Sequence, residues 1–301
     1  MHRLARRPLR GVWTVDLLRN ELAPAIGGVM SYAVGFMKKT LDAAQGRSYD
    51  PPMKVTARDI DHLSIATPDP EALAIKLQQI GFNLTPEGVE PRCICFQAAE
   101  DDIPNYIELI EADVRVALAV NVAELEGETQ EHAWETDDGY EVAAEVIVGE
   151  TDGPLPWFPV RHKAAEAFME PEWIVHPNGA LGMLAVHVVS DDPPETAKAL
   201  GEQWGAITED LFDGCTMIQT GAVEILIWSP SAFQSEYKSV EAMAPEHKPT
   251  VVGIAVAVER SRPLQALLRA NNVPFALTEG DRVVIPAEQL DGLMIEFMPQ
   301  T

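Results

Sequence analysis

Basic residues, cysteines and long apolar runs are all scarce in this chain, and each shortage removes a class of function. Lys and Arg number 22 against 47 Asp and Glu, a formal net charge of −25 over 301 residues. Nucleic-acid affinity comes largely from Lys and Arg neutralising phosphates, so a DNA or RNA partner is excluded. The excess is concentrated: residues 1–52 hold eight basic and four acidic residues, leaving 14 basic against 43 acidic beyond them. Of the three cysteines, Cys93 and Cys95 are one residue apart and Cys215 stands alone. An odd number without framework spacing indicates reduced thiols and a cytoplasmic protein, and the lack of a Cys-x-x-Cys pair excludes a zinc ribbon or thioredoxin-like site.

The most apolar stretch, Leu22 to Phe36, follows Arg3, Arg6, Arg7 and Arg10 in the manner of a secretory signal. Asp16, Arg19 and Glu21 intervene, Pro24, Gly27 and Gly28 interrupt the run, and it falls short of the roughly 20 residues of a spanning helix. No membrane span is expected. Residues 1–52 read as an N-terminal extension, either a loosely docked amphipathic helix or an upstream segment ahead of a natural start at Met53. Also missing are a Gly-x-x-x-x-Gly-Lys-Ser/Thr loop, a Gly-x-Ser-x-Gly elbow and a Gly-x-Gly-x-x-Gly fingerprint after a strand. Phosphate cradling, serine hydrolysis and dinucleotide binding therefore lack support. The run Glu100-Asp101-Asp102 reads as a solvated turn.

A repeated unit is present. The alternating strand Ile60–Ala66 ends at Pro68-Asp69-Pro70, a helix carries Leu73, Leu77 and Ile80 at helical spacing, Gly81 stops it, and strands follow from Phe82, at Cys93–Phe96 and at Tyr106–Ile110. The order returns at Met183–Val189, Asp191–Pro194, a helix with Ala197, Leu200 and Trp204, a stop at Gly205, and strands near Thr216–Ile218 and Val223–Ile227. A further copy runs from Val251–Val258 through Leu264, Leu267 and Leu268 to Val283–Ile285 and Met294–Phe297. Residues 114–180 read as a divergent copy, with strands at Val116–Val120, Val142–Val148 and Trp157–Val160. Its helix is expected to be shortened, within an exposed acidic loop over Glu124–Gly139, because apolar periodicity is weak there.

This pattern resembles the glyoxalase-like, or vicinal oxygen chelate, superfamily, in a branch marked by a His-Pro-Asn-Gly-Ala linker. His176-Pro177-Asn178-Gly179-Ala180 matches the linker, preceded by Trp157-Phe158-Pro159-Val160-Arg161-His162 and Pro171-Glu172-Trp173. The resemblance spans about residues 57–300 and implies an α+β fold of four βαβββ units, one divergent, paired into two half-open barrels. The expected domains are 53–180 and 181–301.

The resemblance implies metal ligands on first and fourth strands, here His62, Glu108 and His162, with Glu108 also moving a proton. Two imidazoles and a carboxylate suit Fe, Mn, Zn or Ni. Ala117 and Ala119 stand where a further ligand would sit, so a complete four-ligand set is missing. Trp157, Phe158 and His176 are candidate substrate contacts, although the Asn178-Gly179 turn also gives His176 a structural reading. In the second domain His187, Glu224 and Glu296 are weaker candidates, because aligning the turns places Ala185, not His187, opposite His62. His132 and His247 have no partner pattern. Two readings stand side by side: a divalent-metal-dependent lyase, isomerase or dioxygenase acting on a small oxygenated molecule, and a metal-free protein that binds or sequesters a small molecule in the same cavity. Either suits a monomer or a homodimer.

Overall fold

The computed structural model describes residues 53–85, 92–97, 103–111, 116–125, 129–135, 141–147, 153–163, 171–238 and 249–300. The extension 1–52, the run Glu100-Asp101-Asp102 and His247 lie outside these residues.

Local punctuation sets the first unit. Strand β1 (Ala57–Ala66) gives way to helix α1 (Pro70–Ile80), whose N-cap Asp69 accepts from Ala72 N at 2.9 Å, with Pro70 supplying a fixed φ in the first turn. Gly81 closes the helix at φ 95°. A Cβ there would collide with Leu267 Cδ2 and lie 3.1 Å from Asn178 Cβ. Gly81→Ala is expected to lower stability by about 2 kcal/mol, measured by urea denaturation; an unchanged midpoint would refute this account of the turn. The second strand anticipated after Phe82 is not formed among the described residues; Thr85 instead donates from its backbone N to Cys93 O at 2.9 Å. Strands β2 (Arg92–Phe96) and β3 (Asn105–Ile110) follow.

The divergent unit corrects the sequence-based expectation. It comprises β4 (Val116–Val122), β5 (Thr129–Glu135), β6 (Glu141–Ile147) and β7 (Trp157–His162), so a strand occupies the acidic stretch where a shortened helix was expected. The register pairs Thr129 with Ile147 and Glu135 with Glu141. His132 lies on this strand. Neighbouring-strand pairing supplied the decision that the polar sequence lacked, as β propensity is set largely by context.

The second half repeats the plan. It runs through β8 (Ala180–Val189), α3 (Pro193–Trp204), β9 (Ile207–Phe212), β10 (Cys215–Gln219), β11 (Glu224–Trp228), β12 (Thr250–Val258), α5 (Ser261–Ala270), β13 (Ala276–Leu277), β14 (Val283–Ile285) and β15 (Met294–Pro299). Two short helices complete the set, α2 (Pro171–Ile174) before the linker and α4 (Pro230–Glu236) between β11 and β12. Asp192 and Gly205 cap α3 as Asp69 and Gly81 cap α1. The edge strand β9 was missed in the sequence because all six of its residues are exposed, which erases the alternation that marks a half-buried strand.

Strand order is β2-β3-β1-β4-β7-β6-β5 in one sheet and β13-β14-β15-β12-β8-β11-β10-β9 in the other. Within each unit the first strand pairs in parallel with the last, and the two first strands of each sheet pair antiparallel, β1 with β4 and β8 with β12. One face of each sheet packs with α1, α3 and α5 into a continuous core that includes Ile60, Leu63, Leu77, Ile107, Leu118, Trp204, Ile225, Ile254 and Phe297. Asp59 ties the sheets by accepting from Ala222 N and Val223 N, each at 3.0 Å. Among the described residues no helix is long and apolar enough to cross a membrane.

Candidate functional site

Alternation sends Leu63 and Ile65 of β1 into the shared core and turns His62 and Ser64 to the opposite face. Registers then gather the neighbours. His62 is opposite Tyr106 on β3 and Ala119 on β4, while Ser64 is opposite Glu108 and Ala117. Phe158, Val160, Ala117 and Ala119 make the apolar part of this face, and Cys93, Cys95 and Tyr106 form a buried patch against Trp173 and Ile174. His62 stacks on Tyr106 with ring centroids 4.3 Å apart and meets Phe158 edge-on at 5.7 Å.

Asp61 is the centre of the polar network. Adjacent strand residues point to opposite faces, so Asp61 and His62 would ordinarily diverge. The β1–β4 register shifts between Ile60 and His62, a bulge of the kind that re-aims a side chain. Asp61 Oδ1 lies 2.7 Å from His62 Nδ1 and 3.1 Å from His162 Nε2, while Asn121 Nδ2 donates to Oδ2 at 2.9 Å. Burial opposes ionisation of Asp61, but the charges and hydrogen bonds of His162 and His62 prevail and hold its carboxyl well below the usual range. An ionised carboxylate only accepts, so the imidazole nitrogens facing it carry hydrogen. The lone pair of neutral His62 is therefore on Nε2, which is buried, has no hydrogen-bond partner and lies 3.7 Å from Glu108 Oε1. Glu108 accepts a hydrogen bond from Ser64 Oγ. Its burial raises the pKa, an effect that His62 and Ser64 only partly offset. Burial likewise raises the Cys95 thiol to about 12 and the Cys93 thiol well above its ordinary value, leaving both protonated.

The anticipated triad is thus placed unequally. His62 Nε2 and Glu108 face one another as a nitrogen and an oxygen donor, a chemistry that fits a borderline divalent cation. Asp61 behind the imidazole is the carboxylate–histidine arrangement that orients metal-binding histidines. His162 directs its Nε2 to Asp61, so its nearest role is to hold that carboxylate. Among the described residues no cluster of three or more His, Cys, Asp or Glu side chains is disposed to hold a metal ion. Phe158 joins the site, whereas Trp157 points into the shared core, donating from Nε1 to Gln203 Oε1 at 3.1 Å and meeting Trp204 edge-on. His176 uses both ring nitrogens structurally: Nδ1 accepts from Asn83 N at 3.0 Å, and Nε2 donates to Cys95 O at 2.9 Å. Ser64 and Tyr106 were missed in the sequence, although each is two residues from a chosen site residue on the same strand face. Asn121 depends on the β1–β4 pairing and left no local signal.

On the corresponding face of the second sheet, His187 and Glu296 come together, with His187 Nε2 at 3.4 Å from Glu296 Oε2. Glu224 shares this face but pairs with Ala185, two residues before His187, and is half-buried; Leu226 is the residue opposite His187. The turn alignment also holds. Thr67 N donates to Ile110 O and Ser190 N to Trp228 O, equivalent places from which the same step back along each first strand reaches His62 and Ala185.

The unit order, strand order and register define the class, a glyoxalase-like α+β fold of paired βαβββ units, one of them divergent. No protein-family model matches the chain, and no curated protein matches it in sequence. Among solved structures, homoprotocatechuate 2,3-dioxygenase from Arthrobacter globiformis is similar in shape at 15% identity and a TM-score of 0.48, over 82% of this chain and 81% of that one. A Mn(II)-bound glyoxalase from Novosphingobium aromaticivorans shows 13% identity and a TM-score of 0.45, over 80% of this chain and 82% of that one. Methylmalonyl-CoA epimerase from Mycobacterium tuberculosis shows 15% identity and a TM-score of 0.32, over 41% of this chain and 91% of that one.

Proposed function

We propose that this protein is an enzyme acting on a small oxygenated organic molecule at the buried face of the first sheet, with His62 Nε2 and Glu108 holding a divalent metal of the Fe, Mn, Zn or Ni group. The observation that carries the reading is the unpartnered Nε2 of His62, fixed by Asp61 and facing the Glu108 carboxylate. A metal bound there would supply Lewis acidity toward the oxygens of the substrate. The chain's own residues do the rest. Asp61 keeps the imidazole in the tautomer that leaves Nε2 open, and His162 and Asn121 keep Asp61 in place. Glu108, whose pKa burial raises, faces the open Nε2 of His62 and is the group placed to accept and return a proton. Ala117 and Ala119 keep the floor of the site low, and Phe158 offers an apolar wall.

A second reading, a metal-free protein that binds or sequesters a small molecule on this face, is favoured by the direction of His162, which leaves two donors rather than three. Metal analysis and Co(II) absorption titration of the purified chain distinguish the two. The enzyme reading expects one equivalent of metal, and at least about tenfold weaker binding in His62→Ala and Glu108→Gln. A wild-type chain with no stoichiometric metal, unresponsive to added Co(II), would leave the sequestering reading.

A further inference from the structure

The connection between the two paired units of the second sheet covers that sheet's inner face. In the first half, β3 and β4 are joined by residues 111–115, whereas residues 229–249 join β11 to β12. The longer connection folds back as α4, capped by Ser229, whose Oγ accepts from Ala232 N at 3.2 Å. It brings Phe233 and the adjoining Tyr237 against Trp228 and His187. The Phe233 and Tyr237 rings are 4.7 Å apart, Trp228 meets Phe233 at 6.1 Å, and His187 meets Tyr237 at 5.8 Å. With Val189, Val252, Val284 and Met294 these rings form a second hydrophobic cluster over the face that holds His187 and Glu296.

The polar groups beneath this cover converge on Glu296 and His187. Tyr237 donates from its hydroxyl to Oε2 at 2.9 Å, and Arg282 donates from Nη1 to Oε1 at 2.8 Å. Trp228 Nε1 donates to His187 Nδ1 at 3.2 Å, which requires the Nδ1 lone pair and puts the hydrogen of the neutral ring on Nε2, facing Glu296. A metal bound at Nε2 would need the opposite tautomer, with two N–H groups opposed at Trp228. The guanidinium of Arg282 also reaches outward, its Nη2 lying 2.5 Å from Oε1 of Glu236 at the end of α4. One planar cation thus bridges a buried carboxylate on β15 and an exposed one on the covering helix, a use suited to the forked donors of Arg and not to the point charge of Lys.

We infer that Arg282 is the built-in cation of the second site: it compensates Glu296 in the position where a metal ion would otherwise do so and straps α4 over the face, so that this half of the protein binds neither metal nor ligand. The inference goes beyond the proposed first-sheet chemistry.

Hydrogen exchange of the amides of residues 230–237, thermal unfolding and Co(II) titration test it. Arg282→Met is expected to speed that exchange by about tenfold or more. It should also lower Tm by roughly 5 °C, because a buried carboxylate loses its counter-charge. Arg282→Lys restores only part of both effects. Arg282→Met combined with Glu296→Leu regains most of the lost stability, since no buried charge is then left uncompensated. Should Arg282→Met not fold, Glu236→Gln, which loosens only the outer half of the bridge, is expected to speed exchange on α4 alone. Wild-type exchange and Tm in these variants would overturn the inference. So would a His187→Ala or Glu296→Gln variant that binds less Co(II) than the wild type. A chain that binds no Co(II) at all removes the metal reading of the first sheet and leaves this one to the exchange and unfolding results.

Discussion

Asp61→Ala is expected to lower the unfolding free energy at neutral pH by about 3–5 kcal/mol, the cost of taking a shared acceptor from several buried hydrogen-bond donors. Asp61 is fully buried and accepts from His62, His162 and Asn121. Truncation removes this shared acceptor from all three at once. The sign with pH follows from the depressed carboxyl. Its stabilising contribution is fully present above the unfolded value near 3.8 and is lost as pH falls below that point, so the variant and wild type should converge in acid. Urea denaturation at several pH values measures this, and a neutral-pH loss below about 1 kcal/mol would show that the network is dispensable. Asp61→Asn, which keeps the shape, is expected to retain the fold while surrendering control of the His62 tautomer. Nitrogen NMR of the ring would register that change as a mixture of Nδ1–H and Nε2–H forms where the wild type shows Nδ1–H alone.

The second large effect concerns His176. Burial lowers its pKa to about 4 from an ordinary 6.5, outweighing the opposing bond to Cys95 O. Protonation would also forfeit the acceptor site that Nδ1 offers to Asn83 N, because an imidazolium only donates. The folded value lies below the unfolded one in a basic group, so the stabilisation is complete above pH 6.5 and is lost as pH falls from there to about 4. The separation of the two values is worth about 3 kcal/mol. His176→Gln should therefore be less stable than wild type at pH 7, and the gap between them should narrow by about that amount at pH 4. Taking the difference between the two proteins cancels the titration of Glu108 and the other carboxylates. A gap that stays constant across the window would mean that His176 titrates normally in the folded chain.

Much of the architecture could be read from short-range signals. The Asp-Pro helix starts and glycine stops around α1 and α3 were legible because capping and positive φ are decided within a few residues, and the buried first strands because alternation needs no partner. His62, Glu108, His187 and Glu296 were picked out through the resemblance, by their places on or near first and fourth strands. Strands β5 and β9 were not, since one is acidic and the other is exposed on every residue, and only pairing with a neighbour makes either a strand. The roles within the site were hidden for the same reason. Asp61 reaches His62 through a bulge that exists only in the β1–β4 pair, and His162 approaches from a strand a hundred residues away and turns to that carboxylate. Trp157 and Phe158 are neighbours whose opposite faces send one into the core and the other to the site. Arg282 and Tyr237 carried no signal at all in the sequence, because their meeting at Glu296 depends on how a connection folds over a sheet. Sequence alone therefore determined the repeated unit, the starts and stops of its main helices and the polar residues on its inner strands, the first two as consequences of local backbone preference and burial pattern. Tertiary structure decided which of those residues touch and which nitrogen stays open, because hydrogen-bond geometry and charge compensation are set by segments distant in the chain.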